Sequence, residues 1–537
     1  MAASQQGSEV RNAWRYAGLP SILLAISGFA LTLFVFWPGV MTYDALYVYN
    51  AIAEGEVGDW QSPVMTVLWA VIDPIAPGPG SLLLLQAALY WSGFALIGTT
   101  IARRAPWLGV IAVLLAFLPP AFMFVGIIWR DVLFAAVWLF AAALVFAAAE
   151  SRAAVRLPAQ VIALALIVLG VMLRTNALFA APVLVAYALW PRRFAWKRAA
   201  VVSLPAVLAL YGLVQVVYYD VLGAMRQHPL HSLYVFDLGG ITYFTGENQF
   251  PVKWSPAEQQ RLVTDCYDRL WDIYWYDRRC EFVMGRLEKE QDIFGTPALS
   301  AAWRHALLAH PLAYIRHRLA FMAGFLGGRN FTIWTQDLDE KSKIALPENR
   351  GFVALLEVHA ALKSTPLFRA GLWFALCVTV FALACRREGL SWKKSPPPLT
   401  PPHMGEGKQT PPATPLHERE GKQASSDELV DTAQHRSGSG QAGLQRGDAL
   451  CSLPPCGGGS GRGGIPQARR ARVYETPAGA FALAMSGSAI VYVLTYLPFG
   501  VAPDFRYAYW AVLAALAGGA TAISMPSRMP DAPQHAC

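Results

Sequence analysis

Residues 19–80 read LPSILLAISGFALTLFVFWPGVMTYDALYVYNAIAEGEVGDWQSPVMTVLWAVIDPIAPGPG, and the choice that sets the topology lies inside them. Positions 19–39 are apolar and long enough for a helix to cross a bilayer core, which takes about 20 such residues. The loop that follows, 41–80, holds Asp44, Glu54, Glu56, Asp59 and Asp73 but no Lys or Arg, as a translocated loop should. Inside it, 63–72 is apolar but short, bounded by Gln61-Ser62-Pro63 and Asp73-Pro74, and this predicts an interfacial or re-entrant helix. Counting it as a span would invert every later loop.

Nine further apolar stretches follow: 81–101, 107–128, 131–149, 158–173, 175–190, 199–219, 366–385, 476–498 and 504–523. With the N-terminus in the cytoplasm, the even-numbered connections carry Arg103/Arg104, Arg152/Arg156, Arg192/Arg193/Lys197/Arg198 and Arg386/Arg387 with Lys393/Lys394. All of these fall inside, so the orientation is self-consistent. Because Arg11 and Arg15 precede a first stretch that is long and lacks an A-x-A-like exit, that stretch reads as an uncleaved anchor. The 55% hydrophobic content of the 537 residues fits a chain whose solvent is largely lipid. The net charge of +8 sits in short clusters at the ends of spans, an orientation signal and not a nucleic-acid footprint, so no nucleic-acid partner is expected.

The expected organisation has six parts. Residues 1–219 form an N-terminal transmembrane module with the first outer loop at 41–80, and 220–365 form an extracytoplasmic domain of mixed secondary structure. A transmembrane helix follows at 366–385, then a disordered low-complexity cytoplasmic loop at 386–474, a C-terminal helix pair at 475–523 and a cytoplasmic tail at 524–537. The loop is rich in Pro, Gly, Ser and charge, and TPPHMGEGKQ (400–409) recurs in it as TPLHEREGKQ (414–423). Within the outer domain, 312–328 is apolar but interrupted by Arg316, His317 and Arg318, which predicts an amphipathic surface helix. Seven cysteines show no zinc-like grouping; Cys266 and Cys280 share the outer domain and either bridge, in an oxidising compartment, or remain two free thiols.

The polar residues that could carry chemistry gather at the outer ends of the spans. Asp44 and Asp59 have no basic neighbours in sequence, so partial dehydration at the membrane should raise their pKa values and make them better proton acceptors. The plainer alternative is that Asp44 is a helix N-cap. Arg130-Asp131, Arg174-Thr175-Asn176 and Asp504-Phe505-Arg506-Tyr507 lie on the same face. An arginine fork suits phosphate because it donates two hydrogen bonds at once, although singly such arginines also serve as snorkelling anchors.

The stretches PGVMTYDALYVYNAIAEGEVGDWQSP (38–63), IIWRDVLFA (127–135), LRTNALFAAP (173–182), HPLAYIRHRL (310–319) and FRYAYW (505–510) together resemble the membrane glycosyltransferases of the GT-C fold. That group uses polyprenyl-phosphate sugars and includes protein mannosyltransferases and aminoarabinose transferases. The chain is most similar to poorly characterised bacterial multi-pass proteins whose first loop carries an Asp and then a DxHP-like turn. Here the turn is Asp59-Trp60-Gln61-Ser62-Pro63, with Gln61 where His is common and Ala45 after Asp44 in place of an acidic pair.

The resemblance implies an all-α, GT-C-like transmembrane bundle of about ten helices in a bacterial inner membrane. It implies transfer of a sugar from a polyprenyl-phosphate donor to a glycan, lipid or protein acceptor, with Mg or Mn as the cofactor to look for. Asp44 would take the acceptor's proton, and Arg174 or Arg506 would stabilise the departing phosphate. Asp59, Arg130 and Asp131 would position acceptor or sugar, with Asn176 and Tyr507 as further binding residues. The outer domain would cap the site. The rival readings are a transporter or lipid flippase, and a non-catalytic factor in envelope assembly.

Overall fold

The structure is a computed structural model that describes residues 17–192, 194, 196–328, 347–388 and 476–525. The loop expected at 386–474, from 389 onward, and the tail beyond 525 lie outside the described residues. Among the described residues eight helices are long and apolar enough to cross a membrane: Leu19–Phe36, Pro79–Ala102, Arg130–Ala148, Ala153–Leu173, Lys197–Val221, Ala370–Glu388, Pro477–Phe499 and Phe505–Ser524. The protein is thus an all-α integral membrane protein.

Two of the ten expected spans are not single long helices. The stretch 107–128 breaks at Leu118, before Pro119-Pro120, into Pro106–Phe117 and Pro119–Val125, bent by 63°; counted as one span, the pair brings the total to nine. The stretch 175–190 becomes a 3₁₀ turn, Thr175–Phe179, and a short helix, Ala181–Leu189. Pro182 sits in the first turn of that helix, where its missing N–H costs nothing, so the helix starts late. Short as it is, it carries the chain back to the other end of the bundle. Gln160, near the start of Ala153–Leu173, donates to Ala188 O at 2.6 Å, and Arg192 donates to Ala149 O at 2.8 Å.

Burial ranks the spans. Arg130–Ala148 is 83% buried over its apolar window, whereas Lys197–Val221 is 11% buried and faces outward. The sequence of the central helix, RDVLFAAVWLFAAALVFAA, explains this, because alanines let neighbouring backbones approach closely. Its Trp138 lies against Gly170, where an added Cβ would come 2.2 Å from the indole nitrogen.

Among the described residues of 220–365 there are helices and no strands, which corrects the expected mixture. The polar punctuation of this region starts helices. Ser255 and Glu258 form a capping box, and Pro297 and Pro311 occupy first helical turns. The helix Pro311–Gly327 is shorter than a span, and of the three polar residues that interrupt it only Arg316 faces outward as a surface helix requires. His317 and Arg318 point into the protein, while Leu312, Ile315 and Leu319 are exposed. The inward charge is answered by Asp237, fully buried on the helix Leu230–Thr245, at 2.5 Å from Arg318. Trp303 donates to the same carboxylate at 2.8 Å, and Arg318 donates to Gly500 O at 2.6 Å. Burial pushes the neighbouring His317 imidazole below its usual range despite its contact with Asp237, so it sits there neutral.

Cys266 and Cys280 are joined in a disulfide with Cα atoms 5.5 Å apart, closing a 14-residue separation. A loop of that length is worth about 3 kcal/mol in the chain-entropy account. Cys266→Ser with Cys280→Ser should therefore lower the melting temperature of the detergent-solubilised protein, and reductant should lower that of the wild type but not of the double variant.

Candidate functional site

The site lies at the end of the bundle opposite the Arg104–Glu150 pair. It is built where the first loop, three span ends and the outer helices meet. Thr42 precedes the helix Tyr43–Glu54, which Gly55 ends in a left-handed conformation (φ 71°) that its lack of a Cβ permits. Asp44 is in the first turn of this helix and is not its N-cap. The helix Pro63–Ile72, capped by Ser62, remains a short apolar element and is pinned to the bundle by Ser62 Oγ donating to Met172 O at 2.9 Å. Val40 and Gly126 close the approach from the other side, through Val40 N to Gly126 O at 2.9 Å and Ile128 N to Val40 O at 2.9 Å.

Six of the expected residues come together: Asp44, Arg130, Asp131, Arg174, Arg506 and Tyr507. Arg506 is the hub. Its Nη1 donates to Asp44 Oδ2 at 2.5 Å, its Nε pairs with Asp504 Oδ2 at 3.0 Å, and its Nη2 donates to Tyr507 Oη at 3.1 Å. The guanidinium also lies 4.9 Å over the Trp129 ring, whose Nε1 donates to Thr42 Oγ1 at 2.7 Å. A second pair, Arg174 Nε to Asp131 Oδ1 at 3.0 Å, is nearly inaccessible, and Arg174 donates to Tyr496 Oη at 3.2 Å. The Tyr507 ring stands between the two guanidiniums, 4.7 Å from Arg174 and 5.0 Å from Arg506.

Arg130 differs from the other two arginines. Its Nη1 donates to Trp60 O at 3.2 Å, and among the described residues no carboxylate lies at salt-bridge distance from it. It lines a small cleft with Asp44, Gln61, Trp129 and Asp131, together with the apolar side chains of Ala45, Val48, Met65 and Ile128.

The electrostatics overturn one expectation. Burial pushes the Asp44 carboxyl up, but Arg506, Arg130 and Arg174 together outweigh it and hold the group below the usual carboxylate range. Asp44 is therefore a firm counter-ion, and the expectation of a raised pKa fails because its basic partners are distant in sequence and close in space. Asp504 goes the other way: burial raises it and Arg506 offsets this only in part.

Asp59 stands apart from the cluster with both oxygens engaged, Oδ2 accepting from Tyr219 at 2.7 Å and Oδ1 from Gln227 N at 2.6 Å. It fixes the loop beside the bridge between Gly58 and Met225. Asn176, on the 3₁₀ turn, makes no side-chain hydrogen bond to another described residue. Gln61, which donates to Asp44 Oδ1 at 3.2 Å, and Asp504 also join the site, although nothing in the sequence gives either a definite role. The residue missed from sequence is Asp272, whose carboxyl is pushed up to about 6 by burial, with Arg506 opposing and the charges of Asp44 and Asp504 adding to the rise. The signal for Asp504 was its place beside Arg506; for Asp272 there was none. Among the described residues no group of three or more His, Cys, Asp or Glu side chains is placed to hold a metal ion, so no step below is routed through one.

Comparison with protein-family models, with curated proteins and with solved structures finds no match to this chain.

Proposed function

We propose that the protein is a membrane glycosyltransferase that moves a sugar from a polyprenyl-phosphate donor to an acceptor at the Asp44 end of the bundle, on the extracytoplasmic side. What supports this reading is Arg130: among the described residues its guanidinium has no carboxylate at salt-bridge distance, and it lines a cleft of mixed polar and apolar side chains. A cation held this way beside lipid calls for an anion with an apolar tail, and the planar fork fits a phosphate. The donor phosphate sits on Arg130, with its first prenyl units along Val48, Met65 and Ile128. As the bond from the sugar C1 to the phosphate oxygen breaks, charge grows on the phosphate. Arg130 and the fixed positive charges of Arg506 and Arg174 stabilise it without having to reorganise. Asp44 and Asp131 hold those two arginines in place.

The test is binding of polyprenyl phosphate to purified protein in nanodiscs, together with release of labelled hexose from polyprenyl-phosphate hexose. A hydrogen-bonded charge pair is worth about 1.5–3 kcal/mol. Arg130→Ala should therefore weaken lipid-phosphate binding at least about tenfold, with Arg130→Lys between it and wild type. Unchanged binding in Arg130→Ala would sink the assignment. Flipping of the lipid without release of sugar would move the protein to the flippase class.

A further inference from the structure

Five carboxylates stand at or near the cleft, and four of them are spoken for. Asp44 is held by Arg506 and Gln61, Asp504 by the side chain and backbone N–H of Arg506, Asp131 by Arg174, and Asp59 by Tyr219 and Gln227. Asp272 is the exception. Among the described residues its carboxylate accepts no hydrogen bond and pairs with no cation, and it is partly open to solvent. Its backbone is nevertheless well fixed. Trp271 N donates to Val501 O at 2.9 Å, which ties the segment to the loop that carries Asp504 and Arg506. The Asp272 carbonyl accepts from Trp275 N at 2.9 Å and Tyr276 N at 3.0 Å, opening the short helix Ile273–Tyr276.

We propose that Asp272, and not Asp44, accepts the proton of the acceptor during transfer. This rests on the glycosyltransferase reading and names a group in that same site. In the step, the acceptor's O–H or N–H proton passes to an Asp272 oxygen while the acceptor's lone pair forms the new bond to the sugar C1. The bond from C1 to the phosphate oxygen breaks and its electron pair leaves on the polyprenyl phosphate. The protonated Asp272 then returns its proton to solvent through the open side. A carboxylate already paired with a guanidinium is a poor proton acceptor, because protonation must give up that pairing; Asp272 has nothing to give up.

The surroundings also tune it. Arg506, Asp44 and Asp504 are the charged groups that act on it, and Tyr274 and Tyr276 are the titratable groups on the helix it opens. Burial and the two like charges outweigh the single arginine and place its titration near pH 6, close to where a general base works best at neutral pH. Tyr43 and Tyr276 stand exposed beside these carboxylates, and Trp60, Trp271 and Trp275 form a run of rings behind them, with centroids 5.7 and 6.4 Å apart. Such ring faces offer an apolar, hydroxyl-tolerant seat for an acceptor at this edge of the cleft.

The experiment is the pH profile of hexose release by the full chain in nanodiscs, for wild type, Asp272→Asn and Asp44→Asn. Wild type should lose activity as pH falls through about 6, where Asp272 gains its proton. Asp272→Asn should be slower by at least about 10²-fold and lack that acid limb; Asp44→Asn should be slower yet keep it. An unchanged limb in Asp272→Asn, or a limb abolished by Asp44→Asn, overturns the proposal. Carbodiimide labelling of the wild type, read by peptide mass spectrometry, gives an answer independent of turnover, since only a protonated carboxyl reacts. Labelling of Asp272 that rises as pH falls through 6 supports the proposal, and no labelling down to pH 5 overturns it. A wild type with no turnover, yet labelled at Asp272, overturns the transferase reading and this role with it.

Discussion

Arg506→Lys should reduce sugar transfer by about 10³-fold, the scale of losing a preorganised charge-stabilising group, while the protein still folds and inserts. The substitution keeps a positive charge, so the loss would come from geometry. Arg506 serves Asp44, Asp504 and Tyr507 through three different nitrogens and lies over Trp129 as well. An ammonium is a compact point charge on a flexible stem and cannot meet all four at once. With Asp44 or Asp504 released, the cleft gains a free negative charge beside the donor phosphate and the transition state loses a fixed dipole. Hexose release measured at equal amounts of folded protein is the check. Retention of more than a tenth of the wild-type rate would mean that Arg506 has no part in the chemistry.

The second large effect concerns stability. Arg318→Met removes the cation from an ion pair in which the two side chains are 3% and 0% exposed. The Asp237 charge then has only Trp303 and a neutral His317 for company. Breaking a buried pair from one side costs about 3–5 kcal/mol, because the remaining charge stays buried and uncompensated. Thermal unfolding in detergent should show this as a large drop in midpoint. Adding Asp237→Leu to Arg318→Met should recover most of the loss, since two apolar groups of similar bulk do not need each other. A double variant as unstable as the single one would mean that the pair does more than neutralise itself.

What the sequence made legible, and what it did not, follows from the range of each signal. A span is a local property: some 20 apolar residues in a row. That is why 19–39, 81–101, 131–149, 158–173, 199–219, 366–385, 476–498 and 504–523 appear as helices close to where the sequence puts them. The two misread stretches, 107–128 and 175–190, fail for a local reason too: Pro119-Pro120 and Pro182 stop a helix that hydropathy alone would run through. Charge partners are not local. Asp44 and Arg506 lie 462 positions apart, and Arg174 and Tyr496 lie 322 apart. Sequence could place these groups at one end of the bundle but not decide which carboxylate met which arginine. Hence the expectation of Asp44 as a proton acceptor takes no account of Arg506, and the expectation of an amphipathic surface helix at 312–328 takes no account of the Asp237 carboxylate that turns Arg318 inward.

The loop at 500–508 is held from the outer region at two points, by Arg318 at Gly500 O and by Trp271 at Val501 O, and it carries Arg506. In engineering terms the outer helices are not a detachable module. A chimera that exchanged residues 220–365 for another chain's segment would also exchange the two anchors that set the height and tilt of Arg506. Such a swap would alter the charge at the cleft as surely as a substitution within it, even though Asp44, Gln61, Trp129, Arg130 and Asp131 had not changed.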